Sequence, residues 1–497
     1  MRVSLSFEVH QPYRINRNFK PEYAQNKEEL MDVYFKNSWN EGMFRKVAEK
    51  CYYPATRIMM EKLDEYPQFE ASFSFSGIFV EQCEKWDKDL LDLFAQLVEK
   101  KNVEILGQTY HHSLAGLFED KQEFMDQVKL HSDLMQDLFH TRPTVFENTE
   151  LVYNDSIARA VESMGFDAIF AEGAERIMGP RNPNHIYKLK DGNIRLLLRN
   201  YKLSDDLAFR FSSWKWEEFP LTANKYAQWI KEARGSCINL FIDYETFGEH
   251  HWKESGIFEF LKWIPGEILN EGIEFALPSE LALREPIDEV SVSEEETLSW
   301  ADIEKDSSAW IGNSMQKTCF DHLEKAQKMV ERTGDSNMLD VWRYLQVSDN
   351  LYYMYTKEDS PGTVHSYFSQ QSPFEVFSAY MRILSDLYSK CVDKLEEPLR
   401  SAGHYLRPLP PEKGLSFYYD ETYANIVAYS MDELIETLRI INEGHFNFHN
   451  SAGDFSKWIK YIIGDKILLE RINNLEDKKM MREVVKQRSD ELWKHFE

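Results

Sequence analysis

A chain of 497 residues with 43% apolar side chains can bury a full core in more than one domain. Its 58 basic and 84 acidic residues leave a formal charge of −26, a field that repels nucleic acid and anionic membranes but not a neutral polymer. No apolar run approaches the length of a membrane span, and the opening MRVSLSFEVHQP lacks the basic segment, long apolar stretch and small-residue cleavage site of a signal peptide. The expected location is therefore the cytoplasm, with no membrane or nucleic-acid partner. Five scattered cysteines with no CxxC pair fit a reducing compartment and buried, inert thiols. The 14% aromatic content suits sugar rings, whose apolar faces stack on aromatic ones, though a large aromatic core explains it equally well.

Taken in chain order, residues 1–285 alternate short apolar strands with longer helical stretches. Strands are expected at Val3–Val9, Glu70–Ser76, Val103–Leu106, Thr144–Phe146, Asp167–Phe170, Arg195–Leu198, Ile238–Ile242 and Ile273–Ala276. Amphipathic helical patterns such as Leu90–Lys100 and Gln122–Phe139 lie between several of them. Near-continuous apolar strands alternating with helices predict a parallel α/β barrel or open sheet, and eight candidates favour a barrel. After Glu285-Pro286 the pattern turns helical over Ser314–Thr333, Met338–Tyr355 and Ser372–Glu396, with a break at Pro361-Gly362. A Pro-rich loop (Pro408, Pro410, Pro411) opens a short, mostly helical tail with strand character near Leu415–Tyr419. The expected domains are thus 1–285, 286–400 and 401–497.

Active sites of parallel α/β sheets and barrels lie where the strands end. Glu8, His10, Gln11 and Pro12 end the first strand, and Gln108, His111 and His112 follow the third. Glu147 to Glu150 follow the fourth, and the run Asp243-Tyr244-Glu245-Thr246-Phe247-Gly248-Glu249-His250-His251 follows the seventh. Each acidic residue alone is an ordinary surface residue. Their convergence on strand ends points to one rim. A pair of carboxyl groups across a pocket suits glycosidic cleavage: one protonates the leaving oxygen, the other attacks the anomeric carbon, and a retaining pair sits roughly 5–5.5 Å apart. Glu150 and Asp243 are the candidates.

The ordered stretches HQP at 10–12, VEILGQTYHHSL at 103–114, NTELVYND at 148–155, FIDYETFGEHH at 241–251 and ALPSE at 276–280 resemble the motifs of family-57 glycoside hydrolases, most closely the α-amylase-like branch. Further similarity lies in SDDLAFRFS at 204–212 and in SWADIEKDSSAWIGNSMQ at 299–316, so that the resemblance covers about 1–400. It implies an incomplete barrel of seven parallel strands, with one of the eight candidates outside it, followed by an α-helical bundle that completes the active-site wall and a small mostly helical C-terminal module. It also implies an α-glucan substrate cleaved with retention, with Glu150 as nucleophile and Asp243 as acid/base. Glu8, His10, His112 and Glu245 would line the cleavage subsite. Asp349 would reach in from a bundle helix, and Trp300 would supply an aromatic wall. Arg210 is expected either to pair with a pocket carboxylate or to sit in a surface ion pair. No cofactor is needed.

Three positions depart from the family pattern. Gln108 stands where relatives usually carry Glu, Asn350 where they have His, and Glu147 where they often have Arg. Gln108 still offers a hydroxyl a hydrogen bond but brings no charge. Other readings stay open. His10, His111, His112, His250, His251 and Asp243 could hold zinc, although HExxH is absent and adjacent histidines point different ways. A sugar hydroxyl instead of water could release the intermediate, which is glucanotransferase chemistry. A glucan-binding protein with a weakened site is the third reading.

Overall fold

The computed structural model describes every residue except 26, 28, 357–371 and 420–421. The expected break at Pro361-Gly362 lies outside the described residues. All eight expected strands form. They are β1 (Arg2–Val9), β2 (Ala71–Phe75), β3 (Val103–Ile105), β4 (Val145–Phe146) and β5 (Ala168–Glu172), then, beyond an unexpected β6 (Ile186–Leu189), β7 (Arg195–Arg199), β8 (Cys237–Asp243) and β9 (Glu274–Phe275). A two-residue β10 (Glu289–Val290) was also not foreseen. Lys188 interrupts β6, and β10 is the pair Glu289-Val290, so neither reads as an apolar run.

Seven parallel strands follow one another round a ring: β1 pairs with β2, β2 with β3, β4 with β5, β5 with β7, β7 with β8, and β8 with β1. Two junctions are thin. Between β3 and β4 the contact is the Gly107–Phe146 bridge, with Gly107 N–H on the Val145 carbonyl (2.8 Å) and Glu147 N–H on the Gly107 carbonyl (2.9 Å). Between β7 and β8 it is the single pair Arg199–Asn239. The extra candidate is β9, which pairs only with Arg2 and Val3 at the start of β1. The seven-stranded, incompletely laced α/β barrel is as expected.

The strands alternate in a way that prepares the site. Val3, Leu5, Phe7 and Val9 of β1 share one core cluster with Ala71, Phe73 and Phe75 of β2 and Ile238, Leu240 and Ile242 of β8. Helices seal this layer with residues at three- and four-residue spacing, such as Leu90, Phe94 and Leu97. Each such buried side chain contributes roughly 1.5–3 kcal/mol. The opposite face of the same strands carries Ser4, Ser6 and Glu8, then Ser72 and Ser74, then Asn239 and Asp243. Small polar side chains inside the ring leave room for carboxyl groups near its end. The register sets Glu8 between Ser74 and Asp243 on neighbouring strands.

The chain divides into two compact units. The first holds the ring and comprises Met1–Arg14, Lys36–Asn313 and the described residues of 346–370. The second comprises the described residues of Ile15–Phe35, Ser314–Leu345 and 372–497. It contains the helices Ser314–Thr333, Ser336–Leu345 and Pro373–Lys394, a hairpin of β11 (Leu415–Tyr419) and β12 (Thr422–Ala428), and further helices ending with Lys478–Trp493. Pro373–Lys394 starts at a capping box formed by Ser372 and Glu375. These units cut across the boundaries expected at 285/286 and 400/401. Residues 286–313 and the short helix Ser348–Tyr352 pack with the ring, because Leu298 pairs with Tyr153 and Val347 with Ser113. None of the described helices is long and apolar enough to cross a membrane. All five cysteines are buried and unbridged.

Candidate active site

A cavity of about 710 Å³ opens at the C-terminal ends of the strands. Glu8, His10, His112, Glu150, Asp243 and Glu245 line it, together with Trp300 and Asp349. Nine of the ten residues expected at the site therefore line it, Arg210 at its mouth included, and Gln108 does not. Asp243 is the last residue of β8, and a tight turn over Tyr244–Thr246 brings Glu245 in behind it. Gly248 follows at φ 122, where a Cβ would lie 2.0 Å from the Lys50 carbonyl oxygen, so only glycine lets this loop pass. After β4 the backbone turns through left-handed conformations at Glu150 (φ 58) and Leu151 (φ 49), and His112 is also left-handed (φ 50). Such conformations are costly for residues with a side chain and cluster at functional sites.

Glu150 is gripped on several sides. The Trp300 indole N–H donates to its Oε2 (2.6 Å), and His112 Nε2 lies 3.6 Å from its Oε1. The Ser299 hydroxyl (2.8 Å) and the Trp300 N–H (3.3 Å) hold its backbone carbonyl. His112 stacks on His10 with ring centroids 3.8 Å apart, and its Nδ1 lies 3.1 Å from Glu8. Burial pushes the His112 imidazole down, but Glu150, Asp349 and Glu147 outweigh it and draw it above its ordinary value. His10 is lowered to about 4 by burial and by the His112 charge. It is thus a neutral ring. With the Ser76 hydroxyl on Nδ1 (2.8 Å), Nε2–H is left to donate to Asp349 Oδ2 (3.1 Å). Burial alone would raise Asp349, but the His10 bond and the His112 and Arg14 charges bring it below the usual range.

Asp243 experiences the opposite field. Burial, then Glu245 and Glu150, hold its carboxyl well above the ordinary range, against the pull of Arg199. Glu8 is raised by burial and by Glu147, Glu150, Asp243 and Glu245. Glu245 is pushed up to about 7 by burial, although the Tyr52 hydroxyl and the His10 N–H (3.3 Å) donate to it. Beneath them Glu147, fully buried, is raised to about 7, burial outweighing the His112 charge and the Ser74 bond (2.8 Å). The carboxyl groups of Asp243, Glu8, Glu245 and Glu147 are thus all raised, while Glu150 faces the His112 ring and an indole N–H.

Two expected residues behave differently. Gln108 lies beneath the cavity wall, donating to Ser74 Oγ (2.7 Å) with its Oε1 3.3 Å from His112 Nδ1. Arg210 reaches the cavity mouth, but its guanidinium bonds Asp206, one helical turn earlier, rather than a cavity carboxylate. A cation buried at the wall that the sequence did not point to is Arg199. It pairs with Glu172 (2.9 Å) and Asp205 (2.7 Å), with Lys305 beside them. Ending the fifth and sixth expected strands at Phe170 and Leu198 stopped just short of Glu172 and Arg199. The available signal was a charged residue closing an apolar run, the same that marks Asp243.

Among the described residues, His10, His112 and Asp349 form the one group with ligand atoms close enough for a metal, within 4.8 Å of one another. The two rings lie face to face, 23° from parallel, so their in-plane lone pairs converge poorly on an ion that needs bonds of about 2.0–2.1 Å. His251 is turned away, bonded to Ser212 (2.8 Å) and the Leu207 carbonyl (3.0 Å). The donor set fits sugar hydroxyls better than zinc.

The chain is 45% identical over 397 residues, 78% of its length and 84% of the relative's, to a protein of Methanocaldococcus jannaschii named provisionally as an alpha-amylase. A solved branching enzyme of Thermococcus kodakaraensis superposes with TM-score 0.56 at 13% identity, covering 80% of this chain and 91% of that one. The 4-alpha-glucanotransferase of Thermococcus litoralis superposes with TM-score 0.51 at 14% identity, covering 86% of this chain and 61% of that one. At such identities these two likenesses establish the fold alone. The family model "Glycosyl hydrolase family 57" matches residues 4–293, more than half of the sequence, and the chain belongs to that family.

Proposed function

We propose that this chain is an α-amylase-like retaining hydrolase that cleaves α-1,4-glucosidic bonds of glycogen, starch or maltodextrins. The observation that carries the proposal is the contrast between two carboxyl groups in one cavity. Burial and neighbouring acids hold the Asp243 carboxyl well above the ordinary range, whereas Glu150 accepts the Trp300 N–H and lies beside His112, whose imidazole is drawn above its ordinary value. A raised acid and a held carboxylate are the two parts that glycosidic cleavage requires.

A glucosyl unit lies over His10 and His112, with Glu8, Glu245 and Asp349 offering hydrogen bonds to its hydroxyls. Asp243 gives its proton to the glycosidic oxygen as that bond breaks. Glu150 attacks the anomeric carbon and forms a glycosyl-enzyme. Asp243, now a carboxylate, takes a proton from water, which releases the sugar with its configuration retained. The neutral glucan substrate agrees with the charge of −26, and internal glycogen or maltodextrin is the substrate this reading takes.

The test is Glu150→Ala with azide. Turnover should vanish and return on adding azide, with a glucosyl azide of inverted configuration as product. A mutant that keeps the wild-type rate, or that azide fails to rescue, overturns the assignment of Glu150.

A further inference from the structure

Trp300 stands on a loop that closes on itself. Leu298 bridges Asp306, and the Ser299 N–H donates to the Lys305 carbonyl (3.2 Å). Within it Asp302 (φ 54) and Lys305 (φ 53) are both left-handed, conformations that non-glycine residues keep only when their surroundings enforce them. A buried charge network holds Lys305. The Lys305 ammonium donates to the Trp300 carbonyl (3.0 Å) and to Asp205 (3.0 Å), and lies 3.6 Å from Glu172. Arg199, 2% exposed, donates to Glu172 (2.9 Å), Asp205 (2.7 Å) and the Phe241 carbonyl (2.8 Å). Its guanidinium lies 5.5 Å from the centre of the Trp300 indole. Two cations and two carboxylates therefore balance one another around the loop, and the free edge of the ring meets Glu150.

We propose that Lys305 and Arg199 are positioning residues that hold the Trp300 indole N–H on the Glu150 carboxylate while that carboxylate forms the glycosyl-enzyme. This rests on reading Glu150 as the nucleophile. Lys305 fixes the loop through the backbone of Trp300, and Arg199 backs the ring. Neither needs to touch the reacting carbon. Losing either lets the indole swing off, and the carboxylate then samples orientations unproductive for attack.

The experiment measures the rate at which a 5-fluoro-α-glucosyl fluoride labels Glu150, read by mass spectrometry, beside kcat and KM on maltoheptaose. The variants are W300F, K305M, K305R and the double W300F/K305M. W300F and K305M should each slow labelling and kcat by roughly tenfold to a hundredfold, the range for one hydrogen bond to a charged group, with little change in KM. K305R should recover most of the loss. The double variant should be no slower than W300F, because Lys305 acts through the indole. A K305M rate equal to wild type, or losses that multiply in the double variant, overturns the positioning role while leaving the nucleophile in place. Wild-type protein that labels at another residue overturns the nucleophile assignment itself.

Discussion

Replacing Glu147 with Gln should make the protein more stable, and only above the acidic range. Glu147 is fully buried and accepts the Ser74 hydroxyl at 2.8 Å. Burial lifts its carboxyl from 4.5 to about 7. Below about pH 4.5 the group is protonated in both folded and unfolded chains, so the glutamine changes little. Between about 4.5 and 7 the unfolded chain releases the proton while the folded chain retains it, so stability falls as pH rises. At about 1.4 kcal/mol per pKa unit the loss reaches roughly 3 kcal/mol above pH 7. Glutamine keeps the acceptor for Ser74 and removes the charge. Thermal unfolding from pH 4.5 to 8.5 should give equal melting temperatures at the acid end and a gap of a few degrees in favour of Glu147→Gln at pH 8. A gap that is constant with pH, or that favours the wild type at pH 8, would refute the reasoning.

Gln108→Glu should destabilise the protein by roughly 1–3 kcal/mol, since the amide that donates to Ser74 at 2.7 Å becomes a second carboxyl facing Glu147. Adding Glu147→Gln should recover most of that loss by reversing the polarity of the chain through Ser74, measurable by melting temperature at pH 7. Gly248→Ala, which sets a Cβ 2.0 Å from the Lys50 carbonyl at φ 122, should cost more than about 2 kcal/mol and lower kcat by displacing the loop after Asp243. Asp243→Asn should lower kcat/KM on maltoheptaose by about 10²–10⁴-fold, but kcat/KM on α-glucosyl fluoride, whose leaving group needs no proton, far less, while loss of the base for the second step lowers kcat on both. Because Asp243 lies well above the ordinary range, wild-type activity should persist at pH values where unperturbed carboxyl groups are ionised.

The sequence made the ring legible because each barrel strand is largely an apolar run, and much of the cavity lining legible because Glu8 and Asp243 stand at strand ends and the Gln108–His112 and Glu147–Glu150 turns follow them. It did not disclose which way side chains alternate. Ser4, Ser6, Ser72 and Ser74 look like interruptions of apolar strands, yet they are the small interior layer that admits Glu8 and Asp243. Arg210 drew attention because it lies in a stretch resembling family members, whereas Arg199, a buried cation of the wall, was hidden by closing its strand one residue early. The Asp205–Lys305 bond spans 100 residues, and no local pattern encodes such a pair. The division into units also escaped a linear reading, because residues 15–35 leave the barrel's unit and Ser348–Tyr352 joins it.

The most direct measurement is product analysis of the purified protein with maltoheptaose and with glycogen, beside Glu150→Gln. Shorter maltooligosaccharides formed by wild type and not by the variant are the predicted result. Chains longer than the substrate would move the activity to glucan transfer, and no products from wild type would contradict catalysis at this cavity and leave glucan binding as its function.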